Sequence, residues 1–148
     1  MRLSLLIILL IFAAPVFAQD SSTVIEIPPI YSGCEGYDNN KDRKACMSTN
    51  MQRFVAAHFN TELYFTENLE AGDYKISVVF VVDKEGNIDR VDAKGPTQNL
   101  ENEAKRVVKS VPQMKPGMQK GIPVRVLYNL PIKFRVTKKD VRKRKRKN

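Results

Sequence analysis

From Pro123 to Val136 the chain alternates without a slip. Val124, Val126, Tyr128, Leu130, Ile132, Phe134 and Val136 occupy the even positions. Between them stand Arg125, Leu127, Asn129, Pro131, Lys133 and Arg135. A period of two over this length predicts a strand with one face on a core and one in water. Pro131 narrows the prediction, because a residue without an N–H sits at a sheet edge or a bulge. The alternation passes through Pro131 in phase, which favours the edge. A long edge strand is a hazard unless something covers or binds it.

The preceding chain supplies the partners for such a strand. Met51, Phe54, Val55, His58 and Phe59 recur at helical spacing and predict an amphipathic helix over about 45–59, with Ser48 as a candidate N-cap. His58 falls on that stripe and is expected to be a half-buried core residue. Residues 74–95 predict a β-hairpin, with Tyr74, Ile76, Val78, Phe80 and Val82 on one face and Gly86 in the turn Asp83–Asn87. The return strand is Ile88–Ala93. Leu100, Ala104, Val107, Val108 and Val111 predict a second helix, with Glu101 and Glu103 in its first turn and Pro112 as its exit. The order helix, strand, strand, helix, strand predicts an α+β domain: two helices on one face of a small antiparallel sheet, with the last strand, about 123–136, at an edge.

Both ends of the 148-residue chain differ from this middle. Arg2, the apolar run Leu3–Phe17 and the small-residue end at Ala18 predict a secretory signal peptide over 1–18, cut after Ala18. That implies export to the periplasm; if it stays uncut, the segment would anchor the chain at the inner membrane. Residues 19–30 form a short lead-in to a domain over 31–137. The last segment, 138–148, carries +7, whereas 19–137 carries only +1. Its cations are Lys138, Lys139, Arg142, Lys143, Arg144, Lys145, Arg146 and Lys147. Such a block repels itself and predicts a disordered tail. Behind a signal peptide its expected partner is anionic lipid or cell-wall polymer rather than nucleic acid. Cys34 and Cys46, an even pair in an oxidising compartment, point to a disulfide worth about 3 kcal/mol by loop closure. The alternative is a zinc site with His58 as third ligand, which lacks paired spacing and a fourth ligand.

No catalytic constellation can be assembled. A Ser-His-Asp or Cys-His arrangement would need His58, the only histidine. There is no HExxH, Gly-rich phosphate loop or Cys-x-x-Cys motif, and the carboxylates Asp83, Glu85, Asp89 and Asp92 read as a solvated turn. The expectation is a protein that is not an enzyme, with no cofactor and no metal.

Three stretches carry a resemblance. Val111–Val126, with its Met114-Lys115-Pro116-Gly117 and Gly121-Ile122-Pro123-Val124, continues through Tyr128–Phe134. Val78–Ile88 precedes it, followed by Leu100–Lys109. Together they resemble the C-terminal domain of TonB-type energy transducers. Tyr31–Cys34 and Ala45-Cys46 resemble a variant seen in Bacteroidetes-type members. The resemblance implies that the final strand pairs its free edge with a TonB-box peptide of an outer-membrane receptor in TonB-dependent transport. Physically this is β-augmentation. If Pro131 faces the open edge, alternation turns Arg125, Leu127, Asn129 and Lys133 there too. The expected docking run is therefore Val124, Arg125, Val126, Leu127, Tyr128 and Asn129. Residues 19–30 span at most about 40 Å extended, with no long Pro-rich spacer among them. The leading expectation is thus a periplasmic binding module. A structural envelope protein working through its basic tail is the alternative, and an anchored transducer follows if residues 1–18 stay uncut. An open edge also permits a homodimer.

Overall fold

The computed structural model describes residues 25–146. The signal segment and the first half of the lead-in, residues 19–24, lie outside them, as does Lys147. Among the described residues no helix is long and apolar enough to cross a membrane.

The alternating pattern forms a three-stranded antiparallel sheet. Strand β1 (Gly72–Val82) lies in the centre, β2 (Ile88–Lys94) on one side and β5 (Val126–Val136) on the other. β1 and β5 pair in unbroken register from Gly72↔Val136 to Val82↔Val126. Their even residues bury one face: Ile76, Val78, Phe80 and Val82 opposite Val126, Leu130, Ile132 and Val136. Helices α1 (Asn40–His58) and α3 (Gln98–Lys109) cover that face with Met47, Met51, Val55, Leu100, Ala104, Val107 and Val108. The fold is the expected α+β arrangement.

The strand read as continuous from Pro123 is split at Arg125. Lys120 and Gly121 both have positive φ, +50° and +71°, the backbone of a type I′ hairpin turn. That turn folds β4 (Ile122–Val124) back on β3 (Gly117–Gln119) in a separate two-stranded sheet. The lead-in joins it: Ile27 exchanges backbone hydrogen bonds with Met118, and Ile30 with Lys115. Only after Arg125 does the chain enter the main sheet.

Three further differences have local causes. α1 begins at Asn40 rather than near Ala45, because the Asn39 side chain accepts from the Asp42 N–H and caps it. His58 is exposed instead of half-buried. The buried stripe runs Met47, Met51, Val55, Phe59, and His58 lies on its flank, stacked on Phe54 with Nδ1 2.8 Å from the Phe54 carbonyl. The basic segment is helical, not disordered, over α4 (Lys138–Lys145). A short helix, α2 (Leu63–Thr66), precedes β1. Cys34 and Cys46 are joined in a disulfide, pinning the loop after Tyr31 to α1.

Candidate functional site

The sheet has two outer edges of different character. β2 is short, and its register slips where Arg90, at φ +47°, bulges between Asp89 and Val91. Bulges and charged side chains of this kind blunt an edge against further pairing. β5 is eleven residues long and has no bulge against β1. Its outer side is open.

Pro131 sets the polarity of that edge. It stands opposite Ser77 in an unbroken ladder although it has no N–H to give. That position is therefore a non-hydrogen-bonded pair, and alternate residues share its orientation. Leu127, Asn129 and Lys133 then turn their N–H and C=O groups outwards, while Tyr128, Leu130 and Ile132 spend theirs on β1. Leu127 is 69% exposed and lies opposite Val81 on the uncovered face of the sheet.

Of the six residues expected to dock a peptide, four lie on this strand. Val126 and Tyr128 point their side chains to the core face, Leu127 and Asn129 to solvent. Val124 is not on the edge, because it lies in β4 and pairs with Gly117 of β3. Arg125 lies between the strands and donates to Asp89 through Nη2. This hydrogen bond is the main reason the Asp89 carboxyl is held below the usual carboxylate range. At the other end of β5, Arg135 makes a two-point contact with Asp73, directly across the ladder, at 2.6 and 3.1 Å. That contact likewise lowers the Asp73 pKa. Both ion pairs are exposed and contribute little to stability; they flank the open stretch between them.

A groove missed in the sequence runs beside the edge, between β5 and α1. Its larger hollow, about 430 Å³, is lined by Val55, Phe59, Tyr64, Leu130 and Ile132, with Pro131 and Lys133. A smaller one of about 50 Å³ lies by Met47, Met51, Phe80, Tyr128 and Asn129. The Tyr128 hydroxyl is buried without a hydrogen-bond partner among the described residues, and burial pushes its pKa up to about 12. Only the relation of α1 to β5 creates this groove, so no local motif could have signalled it. A strand added to β5 would turn alternate side chains into it.

Comparison with known proteins bears on the same segment. Residues 73–136, from the second residue of β1 to the last of β5, match the family model described as Gram-negative bacterial TonB protein C-terminal. No curated protein matches the chain.

Proposed function

Since residues 73–136 belong to the TonB C-terminal family, a transport-associated protein-interaction domain of the cell envelope, we propose that this module captures an outer-membrane receptor by β-augmentation. A short extended segment of TonB-box type adds to the outer side of β5. Backbone bonds to Leu127 and Asn129 give affinity, and side chains seated between β5 and α1 give selectivity. The observation that carries this reading is the long unbulged edge with Pro131 turned outwards. Pro131 interrupts the donors, so pairing centres on Val126–Asn129, with Lys133 beyond the gap.

The test is a calorimetric titration of the intact chain with a synthetic peptide spanning a receptor's TonB-box segment. Leu127→Pro removes an outward donor and leaves the bonds to β1 in place, so peptide binding is lost while the thermal melt is retained. Undiminished binding by the folded variant removes β5 from the site. Sedimentation of the chain alone covers the homodimer reading. A dimer that excess peptide fails to dissociate would show that a second copy, not the receptor segment, occupies the edge.

A further inference from the structure

The basic segment is built into the fold, and β-augmentation gives it no task. Thr137 and Asp140 form a reciprocal capping box at the start of α4: the Thr137 hydroxyl accepts from the Asp140 N–H, and the Asp140 carboxylate accepts from the Thr137 N–H. Val141 packs against the core cluster. Arg144 reaches down to donate to the Leu69 carbonyl at 2.9 Å. These contacts set the rotation of the helix about its axis.

With Asp140, Val141 and Arg144 turned inwards, the other cations occupy the remaining arc. Lys138, Arg142 and Arg146 follow one another at intervals of four, one above the next. Lys139 and Lys143 lie beside them on one flank and Lys145 on the other. All six are exposed, and none forms an ion pair among the described residues. The outward face therefore carries six positive charges over about 12 Å of helix, and its single acid is drawn into the cap. It has no apolar side chain to insert and no aromatic platform of the kind that stacks nucleic-acid bases. A convex, uniformly cationic face is complementary to a plane of negative charge.

We infer that α4 docks the domain on an anionic lipid bilayer, with Lys138, Lys139, Arg142, Lys143, Lys145 and Arg146 against the headgroups and Val141 and Arg144 holding the helix to the fold. α4 starts two residues after β5 ends, and Pro131 lies about 20 Å back along the strand. A bilayer bound by α4 would thus hold the open edge near a partner embedded in that bilayer. Simultaneous contact of this kind raises effective concentration without adding a contact at the edge itself.

The test is co-sedimentation of the intact chain with vesicles, either phosphatidylcholine alone or equal parts phosphatidylcholine and phosphatidylglycerol. The parent is compared with the triple variant Arg142→Ala, Lys143→Ala, Arg146→Ala. The apolar segment Leu3–Phe17 is common to both proteins, so the difference between them reports α4. Each surface cation contributes about five-fold to partition on anionic lipid, so the triple variant should bind the mixed vesicles on the order of 100-fold more weakly. The two should bind phosphatidylcholine alike, and high salt should abolish the difference. A second variant, Lys138→Gln with Lys139→Gln, should lose about 25-fold and covers the case in which the first fails to fold. Equal partition of parent and variants on mixed vesicles overturns the proposal. So does a loss of binding confined to a soluble anionic polymer such as single-stranded DNA or polyphosphate.

Discussion

Gly86→Ala and Gly121→Ala add the same methyl group to two left-handed backbones, with φ of +89° and +71°, and their costs should differ. At Gly121 the new Cβ meets nothing within 4 Å. The substitution there costs only the left-handed conformation, about 1–2 kcal/mol. At Gly86 the Cβ would stand 1.7 Å from the Met114 carbonyl oxygen and 2.8 Å from its carbon. Both are backbone atoms, so no flexible side chain can swing away. Either the hairpin turn or the Met114 segment must shift, and the hydrogen bond from the Met114 N–H to the Gly86 carbonyl, 2.9 Å long, is lost. Both residues are buried. Unpairing these groups adds about 1–3 kcal/mol, giving about 2–5 kcal/mol for Gly86→Ala. Urea unfolding followed by far-UV circular dichroism measures both variants against the parent. Costs that agree within about 0.5 kcal/mol would refute the claim that the β1–β2 turn is clamped on Met114. The clamp matters to the site because Met114 opens the segment that leads through β3 and β4 into β5.

Other expectations follow from the same contacts. Tyr128→Phe removes a buried hydroxyl that has no partner, so stability should hold or rise by up to about 1 kcal/mol; a loss larger than that in urea unfolding would mean the hydroxyl is satisfied. Asp73, Asp89, Glu101, Glu103 and Asp140 all have carboxyl pKa values lowered in the fold, chiefly by hydrogen bonds from Arg135, Arg125, the Gly95 N–H, Arg106 and Thr137 respectively. Lowered folded values stabilise above the unfolded carboxylate range and cease to do so as pH falls. The melting temperature should therefore be level near neutrality and decline below about pH 5; a rise on acidification contradicts the assignment. Reducing the Cys34–Cys46 disulfide, whose partners are 12 residues apart, should lower the unfolding free energy by about 3 kcal/mol, read as an earlier urea midpoint with dithiothreitol. An unchanged midpoint would mean the loop after Tyr31 is held by other contacts.

The parts legible in the sequence are those where one local rule decides. Alternation through Val124–Val136 and Tyr74–Val82 marks the buried sheet face, and Pro131 marks the edge, because period and missing donor act residue by residue. The break at Arg125 was visible in principle in Lys120-Gly121, whose two-residue turn commits Ile122–Val124 to Gly117–Gln119. Alternation continues through the break and hides it. Charge outweighed capping in Lys138–Lys145, although Thr137-x-x-Asp140 is a capping-box pattern and Val141 offers an apolar anchor. His58 was misplaced because α1 meets the core along a narrow line at spacing four. The broader stripe that would include His58 is not needed at the margin of a three-stranded sheet. The groove beside β5 is a property of packing between elements far apart in the sequence, and no local pattern encodes it.

Amide hydrogen exchange along β5 tests the docking edge most directly. In the free domain the outward N–H groups of Leu127, Asn129 and Lys133 should exchange fast, and those of Tyr128, Leu130 and Ile132 slowly. Saturating TonB-box-type peptide should slow Leu127 and Asn129 and leave the inward set as it was. Protection that appears along β2 instead, with Leu127 and Asn129 still exchanging fast, would contradict the assignment of β5 as the docking edge.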